Sequence, residues 1–215
     1  MNYLPLLLPT VLLILGTELV NADEVLTING CRIEADSQCP NADLRNANLS
    51  NQDMRRMNLA GADLRGADLR HSRLDLANLE KARLQGADLT RASLQQSNLR
   101  LANFSNSTLV AINGWALFAQ AAQFEGADMR AANLEFARLS AAKMHAVNLQ
   151  AANLEMTWLS KADLKGADLK DANLQEVKLS GSNLANADLS GTRTHYGNFQ
   201  GANMEGCVEC PKGWD

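Results

Sequence analysis

The chain has 215 residues, 46% of them apolar and only 5% aromatic, with a formal net charge of −4. That length suits one domain, and so mild a charge points neither to a nucleic-acid binder nor to a strongly acidic mimic of nucleic acid. The three histidines, His71, His145 and His195, are dispersed and form no metal spacing and no catalytic triad.

The first 22 residues read as a removable secretory leader. Residues 4–15 are apolar (LPLLLPTVLLIL), too short to span a bilayer and interrupted by Pro5 and Pro9. Val20-Asn21-Ala22 supplies small residues at cleavage spacing, so cleavage after Ala22 is expected. Export follows, to a periplasm, a thylakoid lumen or the medium, with no membrane attachment afterwards. The leader's one charged residue is Glu18, so its loss takes the charge from −4 to −3.

Residues 23–40 read as an N-terminal cap. Val25–Ile28 and Cys31–Ile33 flank Asn29-Gly30, a strong signal for a two-residue hairpin.

Residues 41–206 carry a period of five. Counting every fifth position from 44 to 204 gives 33 slots, of which 23 are Leu, 4 Met and 3 Phe; only Gly114, Ala119 and Thr194 depart. Neither a helix nor a flat strand repeats in five, so the chain must turn after each unit. Two residues before the slot stands a small one, Ala in 20 of 33 cases, and between them usually Asp or Asn. Strand-like alternation sends Ala and Leu to one side and Asp or Asn to the other. The remaining two residues form a corner, where Gly61, Gly66, Gly86, Gly126 and Gly166 recur. A five-residue unit cannot bury its own Leu, so units must stack into a solenoid. Leucine-rich repeats are longer and coiled coils need heptads, so both are set aside.

Through the A-[DN]-L-x-x unit, seen in ADLRGADLR (62–70) and ADLKGADLK (162–170), the chain resembles the pentapeptide repeat family. The resemblance implies an all-β fold, a right-handed quadrilateral parallel β-helix of about eight coils with Leu along its axis. At ~4.8 Å per coil the shaft would be ~40 Å long. That length separates Cys31 and Cys39 from Cys207 and Cys210, so the bridges expected within one chain are Cys31–Cys39 and Cys207–Cys210. Cys39 shares the phase of the Leu slots and should point inward. Residues 207–215 then make a C-terminal cap. The Cys207-x-x-Cys210 spacing also occurs in redox and zinc sites, but no βαβ pattern and no further ligands accompany it. A structural clip is the preferred reading. No metal, cofactor or catalytic residue is expected.

Residues 110–120 (VAINGWALFAQ) break the unit without breaking its phase. Either the chain bulges there or Ile112 and Leu117 occupy positions usual for Ala, with Trp115 and Phe118 adding aromatic surface. With 20 residues per coil, positions 20 apart share a column. One column is rich in carboxylates (Asp68, Asp88, Asp128, Asp168, Asp188), offset by Arg70, Arg130 and Lys170. A corner column holds Leu76, Phe136, Met156 and Tyr196, with Trp158 nearby; an aligned apolar set suggests a contact edge for a protein partner or a second copy.

The function expected is a non-enzymatic, exported module presenting a rigid surface to a protein partner, with no nucleic acid bound. Family resemblance offers an alternative, a DNA mimic that binds topoisomerase, against which the leader and the small charge count. A thiol–disulfide role for Cys207 and Cys210 is the other alternative.

Overall fold

The computed structural model describes residues 25–213. The expected leader lies outside the described residues, as do the last two residues of the expected C-terminal cap.

Each five-residue unit contributes three extended residues and a two-residue corner. Within the extended part, the slot residue and the residue two before it point inward, and the one between points out. Slot residues such as Leu64, Leu109 and Leu164 are fully buried, and so are the partners Ala62, Ala82 and Ala162. The corner is closed by a bond from the next unit, as in Ala62 N–H to Leu59 C=O at 3.0 Å. Its second residue has positive φ, the geometry of a type II turn. Gly61 has φ +69°, but Leu76 (+62°), Phe136 (+59°) and Ala151 (+55°) adopt the same left-handed conformation with a Cβ. Such a conformation costs roughly 1–2 kcal/mol per non-glycine residue, so the stack must impose it.

Stacking follows a fixed register. Parallel bridges join residues 20 apart without a skip, from Gln38↔Asn58 to Asp188↔Val208. Slot N–H groups from Leu44 to Leu189 reach the next coil, as in Leu64 N–H to Arg83 C=O at 2.7 Å, and outward residues from Asn58 to Val208 reach back, as in Asp63 N–H to Ala42 C=O at 2.9 Å. Each slot residue therefore lies on slot residues of the adjacent coils, mostly Leu, Met or Phe, and each burial contributes ~2 kcal/mol that no single unit could obtain alone. The result is a four-sided shaft of parallel strands with no helix among the described residues.

The N-terminal end is covered by a hairpin of β1 (Thr27–Ile28) and β2 (Cys31–Arg32), paired antiparallel. Its turn, Asn29-Gly30, has positive φ at both residues (49° and 81°), as a type I′ turn requires. Asn29 donates its side-chain amide to the Asp43 carbonyl at 2.8 Å, occupying an acceptor that no earlier coil can use. Cys31 is bridged to Cys39, with Cα atoms 5.5 Å apart, and both are buried. At the other end Cys207 is bridged to Cys210, with Cα atoms 5.8 Å apart.

Residues 110–120 keep the coil register, with Asn113↔Asn133 and Phe118↔Arg138 paired as elsewhere. There is no bulge. Ile112 and Leu117 are buried in the positions usual for Ala. Room comes from Gly114 and Ala119, which stand in the neighbouring slots: a Cβ added to Gly114 would lie 2.5 Å from Leu117 Cδ2. Large and small residues have exchanged places, and the coil register is unbroken.

Candidate interaction surface

The faces of the shaft are polar, and many of their charges are matched by neighbours. On the aspartate column, Asp68 accepts a two-pronged guanidinium from Arg70 (2.8 and 2.6 Å), and Asp128 one from Arg130 (2.9 and 2.7 Å). Arg70 also donates its backbone N–H to Asp68 at 3.1 Å. The Arg70 guanidinium holds the Asp68 carboxyl below the usual range, and Arg130 does the same for Asp128. Asp188 is lowered to about 2 by the Ser190 hydroxyl and by Lys170, whose ammonium lies 2.9 Å away. The column is thus a neutralised surface, not a cation site, and no cluster of three metal-ligating side chains exists among the described residues.

Another column is an asparagine ladder. Asn78 donates to Asn58 at 3.3 Å and Asn98 to Asn78 at 3.1 Å. In the next coil the ladder gives way to Phe118, then Arg138, then Trp158, successive residues of the same column. The Arg138 guanidinium lies between the two rings, 5.3 Å from Phe118 and 5.5 Å from Trp158. Arg100 approaches Phe118 at 5.1 Å from the adjoining corner. Trp115 meets Phe136 edge to face at 6.1 Å.

Five of the sequence-selected residues therefore come together. Trp115 and Phe118, then Phe136, then Met156 and Trp158 occupy three consecutive coils along one corner and its adjacent face. Phe136 is 41% exposed and Trp158 51%; Trp115, Phe118 and Met156 are half-buried. Leu76 and Tyr196 share the corner column but stand two coils above and two coils below, beyond Gln96 and Glu176. Arg100 and Arg138 were not singled out from the sequence; extending the 20-residue column from Trp158 to Arg138 and Phe118 is the signal that finds Arg138. Cys31, Cys39, Cys207 and Cys210 are all in disulfides at the two ends, remote from this edge.

A hollow of about 310 Å³, open to solvent, lies away from the patch, near Arg55, Arg73 and Leu76. Arg55 there is tied to Asp53 at 2.6 Å and Arg56 to Asp36 at 2.6 Å, so these cations are already matched. Among the described residues no helix is long and apolar enough to cross a membrane.

The family model for pentapeptide repeats matches the chain in eight copies, over residues 42–80, 77–106, 120–155, 148–184 and 172–208. The chain is a member of the pentapeptide repeat family. Its fold is accordingly the right-handed quadrilateral β-helix. The stretch between the matched blocks, 107–119, is where Ile112, Gly114 and Leu117 exchange sizes.

Among solved structures, a trypsin-treated variant of QnrB1, a plasmid-mediated fluoroquinolone resistance protein, is 19% identical over 80% of this chain and 88% of that one, with a TM-score of 0.54. HetL, involved in heterocyst differentiation regulation in the cyanobacterium Nostoc sp. strain PCC 7120, is 26% identical over 79% and 90%, with a TM-score of 0.37. A thylakoid-lumen pentapeptide repeat protein of Arabidopsis thaliana, AT2G44920, is 30% identical over 50% and 64%, with a TM-score of 0.22. No curated protein matches the chain.

Proposed function

We propose that this protein is a non-enzymatic, exported interaction module whose docking site is the aromatic edge formed by Trp115, Phe118, Phe136, Met156 and Trp158. The observation that carries the reading is their contiguity over three coils, on a shaft where most aspartates are matched by a neighbouring arginine, lysine or hydroxyl. Aromatic and arginine side chains at one place are the usual anchors of protein interfaces. A rigid shaft orders little on binding, so the anchors' contribution is not spent on loop entropy. Export is supported by the apolar run 4–15 and by two disulfides, which persist in oxidising compartments. The terminal bridges act as clips that hold the two ends of the shaft.

The test is capture by the immobilised mature chain, compared with a Phe136→Ser/Trp158→Ser double variant that keeps its circular dichroism. A protein retained by the first and not by the second, whether another chain or a second copy, is the expected result. Equal retention by both removes the edge as a docking site.

A second reading, a DNA mimic that binds topoisomerase, draws on the family and on the fold shared with QnrB1. The arginine-matched aspartates and the small net charge count against it. Dose-dependent inhibition in a gyrase supercoiling assay would put it first.

A further inference from the structure

The edge carries its own complement of charge. Glu135 and Arg138 flank Phe136 in one coil, one on each side. Neither makes an ion pair among the described residues, although most other arginines on the shaft hold an aspartate at hydrogen-bond distance. Arg138 instead rests on the Phe118 and Trp158 rings. Two opposite charges unpaired at the same level, with an exposed aromatic ring between them, form a self-complementary arrangement.

A two-fold axis parallel to the shaft, passing through the Phe136 corner, uses that arrangement. It sets every coil beside the same coil of the second copy and reverses the lateral order. Glu135 then faces Arg138 of the second copy, twice. One coil above, Trp115 faces Phe118; two coils below, Gln175 faces Lys178. Leu76 and Tyr196 each meet their own copy, which explains why they share the corner column with Phe136 although neither belongs to the contiguous patch. The antiparallel alternative sets Glu135 on Glu135 and Arg138 on Arg138, which like-charge repulsion disfavours.

We infer that a second copy of this chain occupies the edge, side by side and in register, with the Glu135–Arg138 pairs at its centre. The inference rests on the reading of this edge as a docking site. From Leu76 to Tyr196 the edge spans six coil spacings, ~29 Å. At a width of about four residues it covers on the order of 400 Å² per chain, so the dimer belongs to the weak, concentration-dependent class.

The test is sedimentation equilibrium of the mature, disulfide-intact chain from about 5 to 500 µM, where dimer formation should span the range. Glu135→Arg and Arg138→Glu should each raise the dissociation constant by roughly tenfold or more. An equimolar mixture of the two variants should recover dimerisation, because both pairs become opposite in sign again. All four native cysteines are bridged, so a single added thiol reports cleanly. Leu76→Cys alone should cross-link on mild oxidation. In an antiparallel dimer it could not, because its copy would lie ~29 Å away. A mass that stays monomeric across the range, or a dimer in which Leu76→Cys does not cross-link with itself, overturns the inference. If the chain is monomeric but still captures another protein through Phe136 and Trp158, only the dimer fails. If patch-dependent capture is also lost, the docking site fails with it.

Discussion

The exchange of sizes around Leu117 makes a quantitative demand on stability. Leu117 is buried in a position that elsewhere holds Ala, and Gly114 stands in a slot that elsewhere holds Leu. Leu117→Ala alone empties a site that the square coil cannot collapse, and should cost about 3 kcal/mol. Gly114→Leu alone drives a side chain into Leu117, since even its Cβ would lie 2.5 Å from Leu117 Cδ2. Overpacking of this kind costs about 1–3 kcal/mol. That Cβ has two other close contacts: Leu134 Cδ2 at 3.1 Å, the flexible end of the slot residue in the next coil, which must give by a few tenths of an ångström, and the Asn133 carbonyl at 3.2 Å, the acceptor of the residue's own N–H. The double variant returns Leu to slot 114 and Ala to position 117, with Ile112 and Ala119 unchanged, and should lie within about 1 kcal/mol of the parent. The coupling energy is then about 3–6 kcal/mol, large for a neighbouring pair. Guanidinium unfolding of the four proteins, with disulfides intact, measures it. A double variant as unstable as the sum of the two singles would refute the exchange of sizes as the packing rule.

Other outcomes follow from the corners, the cap and the clamps. Ala151 is exposed with φ +55°, so Ala151→Gly should raise stability by about 0.5 kcal/mol as relief of left-handed strain exceeds the entropy of glycine. Gly86→Ala, with nothing within 4 Å of the added Cβ but φ +67°, should cost about 1 kcal/mol; equal effects of opposite chemistry at these two corners would deny that the backbone sets them. Replacing Cys31 and Cys39 together by Ser should lower stability by about 2.5 kcal/mol from loop entropy, read as a lower denaturation midpoint. The Asp43 carboxyl is held at about 2 by Arg45, and Asp188 at about 2 by Ser190 and Lys170. A depressed folded-state pKa contributes stability above the unfolded value near 4, lost as pH falls toward 2. Thermal midpoints should therefore drop across that window, and less steeply in Asp43→Asn; a flat profile would count against these clamps.

Much of the architecture was legible because one physical demand repeats. A Leu that must meet a Leu every fifth residue leaves no other stack, and Asn29-Gly30 announced the hairpin at the capped end. The behaviour of residues 110–120 was not legible, because composition alone did not distinguish a bulge from an exchange of volume between Gly114 and Leu117. Arg138 was missed for a different reason. Its role depends on lying between Phe118 and Trp158, residues 20 positions to either side, and no local pattern in the sequence joins them. Leu76 and Tyr196 were grouped with Phe136 from their shared column, yet a polar layer, Gln96 or Glu176, separates each from the aromatic patch. Spacing along the chain reports which column a residue joins; the sizes of its coil neighbours decide what it touches.

The uniform corner also makes the molecule's evolution discrete. A gain or loss of 20 residues lengthens or shortens the shaft and leaves each face aligned with itself, as the unbroken 20-residue register requires. Insertion of a single pentapeptide preserves every inward Leu and every turn, yet rotates all downstream decoration by a quarter turn. Placed between Phe118 and Phe136, it would carry Arg138 and Trp158 to another side while the shaft still closed. Fold and surface are therefore separable in this chain: duplication can rewrite what it displays, one side at a time, without asking the interior to change.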